Sequence, residues 1–76
     1  MPERTYKLIE LVGVSEKSIQ AAVRNAGARA SRTVKNVDWF EVTDVRGLVK
    51  SGKVSEFQGK VKIGFRVLDA KQLREN

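Results

Sequence analysis

Cysteine and histidine are absent from this 76-residue chain, proline occurs once, and tryptophan and tyrosine occur once each. Without cysteine there is no disulfide, no thiolate nucleophile and no cysteine-ligated metal. Without histidine the chain lacks the commonest metal ligand and the usual general base near neutral pH, so no metal site is predicted. No apolar run approaches the roughly 18 residues that a membrane span needs. The opening MPERTYK has no apolar segment of the secretory kind, which predicts a cytoplasmic protein. A chain this short buries only about 60–65% of its unfolded surface. Small domains usually add disulfides, a metal or partner subunits. With the first two removed, self-association is the expected stabiliser.

What the chain has in excess is positive charge, fifteen lysines and arginines against nine acids. Through Lys35 there are seven basic and three acidic residues, a balance of +4; the remainder has eight and six, a balance of +2. A basic surface attracts nucleic acid, anionic membranes or phosphorylated small molecules. A solvated helix face explains the same excess equally well.

The residues divide into four elements and one domain spanning 1–76, with an ordered core over about 4–68. Thr5 to Val12 is rich in strand formers, and Gly13 is expected to end that strand. Ser15 reads as a helix N-cap with Glu16 in the first turn. From there Ile19, Ala22, Val23, Ala26, Ala30, Thr33, Val34 and Val37 recur at helical spacing and predict an amphipathic helix of about 20 residues. Gly27 within it either lets another backbone approach or is a tolerated defect. Asp38 to Val49 and Val54 to Leu68 read as strands joined by a turn at Lys50–Lys53. The tail Asp69–Asn76 is charged and expected to fray.

Together these predict an α+β fold of order β-α-β-β: a three-stranded antiparallel sheet with one long helix on one face. In the last strand Phe57, Val61, Ile63, Phe65 and Val67 alternate with polar residues, the pattern of one buried and one wet face. In the strand before it, Phe40, Val42 and Leu48 fall on one parity and Trp39, Val45 and Val49 on the other. One helix covers one face, so the second face predicts a neighbouring subunit or a ligand.

The blocks TYKLIELVG, AVRNAGARASRTVKNVDWFEVTDVRG and EFQGKVKIGFRV, in this order from about Thr5 to Leu68, resemble the dodecin family of the bacterial type. Members are small β-α-β-β proteins that form hollow dodecamers and stack flavins between tryptophans of neighbouring subunits. The resemblance implies a flavin-storing and sequestering homododecamer, not an enzyme. It makes Trp39 the stacking plane and Gln58 the reader of the flavin edge, with Asp38, Arg46 and Arg66 as polar contacts and Lys7 near the ribityl or phosphate end. Stacking on an indole adds about 0.5–1.5 kcal/mol beyond burial. A glutamine amide offers the donors and the acceptor that the flavin's pyrimidine edge requires. Arg46, Arg66 and the basic balance favour FMN over riboflavin.

A three-residue hairpin loop would set Arg46 opposite Gln58 and Asp38 opposite Arg66 on one face. Trp39 would then need a bulge at Asp38–Trp39 to join them. Taken without the resemblance, the lone tryptophan is as well explained by a core position, and the two arginines by cross-strand pairing with Asp44 and Asp38.

Some dodecins also hold a coenzyme A-like nucleotide, which would implicate Arg4, Thr5, Tyr6, Arg29, Thr33, Val34 and Lys35; a solvated helix face explains the same residues. Leu48 and Gly59 depart from the family pattern, and Gly59 is expected to loosen its strand. The alternative to flavin storage is nucleic-acid binding by the basic helix, which lacks an aromatic stacking platform. A flavoenzyme ranks third, for want of an acid–base pair.

Overall fold

The structure, a computed structural model, describes residues 3–68. Four elements follow in the expected order: β1 (Thr5–Ser15), α1 (Ile19–Thr33), β2 (Val37–Lys50) and β3 (Lys53–Val67). The strands form one antiparallel sheet ordered β1-β3-β2, and α1 packs on one face of it. The tail from Asp69, read from the sequence as frayed, lies outside the described residues.

Gly13 does not end β1. The strand continues to Ser15, with Gly13 paired to Gly59 on β3. Both glycines are there for the helix. A Cβ on Gly13 would overlap the Ala22 carbonyl oxygen, and one on Gly59 would stand 2.7 Å from a Val23 methyl. The paired glycines form a floor on which α1 rests main chain to main chain, so Gly59 tightens the packing where looseness was expected. Ala22, Ala26 and Ala30 are the helix residues buried against the sheet, at one-turn intervals.

The cap also differs from expectation. Ser18, not Ser15, caps α1, its hydroxyl accepting from the Ala21 amide at 3.0 Å. Ser15 instead accepts from the Lys17 amide at 3.0 Å and shapes the connection. Glu16 therefore precedes the helix, whose first turn holds no acid. The helix is 15 residues long, shorter than its periodicity suggested. Val34 closes it by donating to the Ala30 carbonyl at 2.8 Å, and Asn36 then takes a left-handed φ of 65°. Asparagine is one of the few residues that tolerates this region.

The hairpin loop has two residues, not three. Lys50 pairs with Lys53 around Ser51 (φ 51°) and Gly52 (φ 77°), the two positive φ values of a tight hairpin turn. A register shift at Leu48/Val49 then restores the predicted pairing of Arg46 with Gln58. Two more follow, one leaving Thr43 unpaired and one leaving Asp38 unpaired between Val37 and Trp39. Asp38 is thus not opposite Arg66.

Each bulge exchanges the faces of the residues beyond it. Cross-strand partners share a face. Phe40, Val42 and Val45 accordingly lie with Ile63, Val61 and Gly59 on the helix side. Trp39, Glu41, Asp44 and Arg46 lie with Gly64, Lys62, Lys60 and Gln58 on the outer side. Simple alternation had placed Val45 with Trp39; the bulge at Thr43 separates them.

The core is small. Among the described residues five apolar ones are buried, Ala22, Ala26, Ala30, Val61 and Ile63, whereas twelve large apolar side chains are exposed, from Leu8 to Val67. The helix lies over β1 and β3 and leaves β2 largely uncovered. The described residues measure 55 × 19 × 15 Å with a radius of gyration of 15.8 Å. A compact domain of this length would have about 11 Å.

Candidate functional site

The outer face of the sheet carries most of the candidate residues, in two groups. The first surrounds Trp39. The bulge at Asp38 and the pairing with Gly64 turn its side chain onto the outer face. A Cβ on Gly64 would overlap the indole and stand 2.7 Å from its Cδ2, so the missing side chain is the seat of the ring. Tyr6, paired with Arg66 on the same face, sets its ring against the indole with centroids 4.6 Å apart and planes tilted by 60°. The Tyr6 hydroxyl donates to Asp38 Oδ2 at 2.8 Å. That bond holds the phenol's pKa above its usual 10.0. Trp39 remains 39% exposed.

Arg66 completes this group. Its amide donates to the Asn36 carbonyl at 2.9 Å, and its guanidinium Nε is buried with no acceptor among the described residues. Arg4 lies over the Tyr6 ring at 5.9 Å.

The second group is Gln58 with Arg46 opposite it. Gln58 Nε2 donates to Glu56 Oε2 at 2.9 Å. A carboxylate only accepts, so the amide nitrogen must face it. One N–H and the carbonyl oxygen of Gln58 are then left to face outward. Leu48 stands opposite Glu56 at the edge of this group.

The two groups do not meet within one chain. Gly64 and Gln58 are six residues apart on β3, which at about 3.3 Å per residue is roughly 20 Å. The register therefore gathers the residues onto one face, as expected, but at separate ends of it. Lys7 is on neither, since its pairing with Phe65 puts it on the helix side.

The residues of the expected nucleotide site are also divided. Thr33, Val34 and Lys35 line an open hollow of about 490 Å³ at the helix C-terminus, with Arg32 and Asn36. Arg29 lines a different hollow against Val12 and Gly13. Thr5 pairs with Val67 at the start of β1, on the helix side, while Tyr6 is on the outer face beside Trp39.

A groove of about 740 Å³ runs between α1 and β2 on the helix side along Val23, Gly27, Val37, Phe40 and Val42, and touches Asp38 and Trp39. Gly27 opens onto free space, with nothing within 4 Å of a Cβ. Three residues of the outer face were not foreseen: Tyr6 as a neighbour of the indole, Gly64 as its seat, and Glu56 as the partner of Gln58. A strand glycine signals close approach, which was the available cue for Gly64. Glu56 shares a face with Gln58 by its i, i+2 spacing.

The outer face offers an aromatic plane and hydrogen-bonding edges, and the fold is a small β-α-β-β module. Comparison with known proteins gives the family: the Dodecin model matches residues 5–68, and the chain belongs to the dodecin family. The curated dodecin of Thermus thermophilus is 44% identical over 64 residues, covering 84% of this chain and 93% of that protein. Dodecin from Streptomyces coelicolor superposes with a TM-score of 0.85 at 46% identity, covering 92% of this chain and all of that one. Dodecin from Streptomyces davaonensis gives 0.84 at 40% identity, covering 90% of this chain and all of that one. The family is one of small flavin-binding proteins with a binding and storage role.

Proposed function

We propose that the chain forms a homododecamer that stores and sequesters flavin, FMN in preference to riboflavin, in the cytoplasm. The flavin is held between neighbouring subunits. The observation that carries this reading is the separation of Trp39 from Gln58. Both lie on one sheet face, yet roughly 20 Å of strand divides them. No single three-ring heterocycle reaches both in one chain, whereas Trp39 of one subunit and Gln58 of another can converge on the same ring.

The residues suit the ligand. Trp39 has a preformed seat on Gly64 and stays accessible. Gln58 keeps a donor and an acceptor free beside its bond to Glu56. Arg66 carries a buried donor in want of an acceptor, and Arg46 adds a cation next to Gln58. Bound there, the flavin supplies a redox-active, light-sensitive ring; what the protein contributes is stacking, edge recognition and exclusion of water. Lys7 is kept as a phosphate-end contact supplied across an interface. The basic hollow of Thr33, Val34 and Lys35 favours a coenzyme A-like nucleotide as a further ligand.

Self-association is supported independently by the exposed apolar set and by the apolar groove along α1 and β2. Light scattering is expected to give about 100 kDa for twelve 8.5 kDa chains. Purified protein titrated with FMN is expected to quench flavin fluorescence strongly. Trp39→Ala is expected to weaken binding at least about ten-fold, or about 1.4 kcal/mol, while the particle stays the same size. An unchanged affinity in that titration removes the stacking role.

A further inference from the structure

The indole is seated on Gly64 on one side and exposed on the other, so a contact at its edge is what sets its angle. It stands on a bulge, where the strand ladder is interrupted and one residue is unpaired. Its floor is Gly64, which supports the ring from below but has no side chain to hold its edge. An aromatic plate that swivels makes a poor stacking surface, because each ligand would have to order it on binding.

Two contacts from β1 remedy this. The Tyr6 ring abuts the indole at a centroid separation of 4.6 Å and a tilt of 60°, the edge-on kind of contact that favours one ring orientation. The Tyr6 hydroxyl reaches past the indole to the residue before it, donating to Asp38 Oδ2 at 2.8 Å. That bond joins residues 32 positions apart and ties the unpaired bulge residue to the far edge strand. β1 and β2 are separated by β3, so no backbone ladder joins them directly.

We infer that Tyr6 and Asp38 are positioning residues that lock the Trp39 plane before any ligand arrives. The phenol braces the ring and its hydroxyl ties down the bulge that carries it. Asp38 is thereby engaged within its own chain in the ligand-free protein. The inference rests on the proposed role of Trp39 as a stacking surface, and it concerns the orientation of that surface.

The test uses the full chain without ligand. Trp39 is the one tryptophan, so its fluorescence reports on this position alone. Asp38→Ala keeps both aromatic chromophores and removes the acceptor. It is expected to add a fast component to the time-resolved anisotropy of Trp39 and to diminish the indole band in near-ultraviolet circular dichroism. Tyr6→Leu is expected to do the same and more. Asp38→Asn retains an acceptor oxygen and is expected to keep the wild-type signals, a rescue that a bulk folding defect would not show. Far-ultraviolet dichroism and particle size should be unchanged in all three.

Riboflavin titration forms the second arm. Asp38→Ala is expected to bind roughly five-fold more weakly, the scale of one hydrogen bond devoted to preorganisation. If Asp38→Ala and Tyr6→Leu both leave the ligand-free indole as immobile as wild type, the locking role is overturned, whatever riboflavin does. If wild type binds neither FMN nor riboflavin, the flavin reading falls, and the anisotropy still decides whether the indole is locked.

Discussion

Trp39 occupies the space that a side chain on Gly64 would fill. The two residues are cross-strand partners, and the glycine is what lets the indole lie against the sheet. Gly64→Ala therefore forces a movement. Trp39 is at the surface, so the indole yields and not the backbone. The expected result is a loss of flavin affinity of at least about ten-fold, with a thermal midpoint within a few degrees of wild type. Within the chain a Cβ on Gly27 meets nothing, and Gly27→Ala is expected to stabilise the helix by up to about 1 kcal/mol.

The Gly13–Gly59 floor gives a graded prediction for stability. A Cβ on Gly13 collides with main-chain atoms of Ala22 and Ala26, which cannot move without lifting α1. Gly13→Ala is expected to cost at least about 3 kcal/mol, the upper end of overpacking penalties. A Cβ on Gly59 meets chiefly a Val23 methyl. Gly59→Ala is expected to cost about 1–2 kcal/mol, since that side chain can adjust. Urea unfolding monitored by far-ultraviolet dichroism measures both.

Glu56 is expected to act through Gln58. Removing the carboxylate in Glu56→Ala frees the amide to rotate, and flavin affinity should fall about three- to ten-fold, the net worth of one side-chain hydrogen bond. Glu56→Gln can still accept from Gln58 Nε2 and should bind nearly as wild type. Gln58→Ala should lose as much as Glu56→Ala or more. Equal affinities for all four proteins in a fluorescence titration would remove the edge-reading role.

Tyr6 supplies a pH prediction. Its bond to Asp38 raises the phenol's pKa in the folded chain above 10.0. A raised pKa means that the neutral phenol is favoured by folding. The associated stability is fully present below the unfolded-state value near 10 and is lost as pH climbs through the higher folded value. With one tyrosine in the chain, tyrosinate absorbance reads this group directly. Asp38→Ala is expected to bring the titration back toward 10.0.

The order of elements and the helix-facing residues Val61 and Ile63 were legible because periods of 2 and 3.6 are strong signals. The pairing of Arg46 with Gln58 was legible too, though through a three-residue loop that the chain does not use. What alternation could not show is a bulge. At Thr43 one unpaired residue exchanges the faces of everything before it, and no residue type demands a bulge there. The bulge at Asp38 was anticipated because Trp39 otherwise stood on the wrong side. Gly13 misled for a related reason. Glycine signals both a chain break and a close approach, and only the position of α1 tells the two apart. The roughly 20 Å between Trp39 and Gln58 follows from counting along β3 once the register is known.

The two bulges of β2, at Asp38 and Thr43, have a consequence for how copies of this chain can grow together. With the sheet ordered β1-β3-β2, this long strand is an open margin whose unpaired amides and carbonyls would invite another strand to zip alongside. The unpaired residues Asp38 and Thr43 break that margin into shorter pieces with mismatched spacing. A molecule with so many valines in contact with water is thereby steered away from endless ribbon formation along this strand.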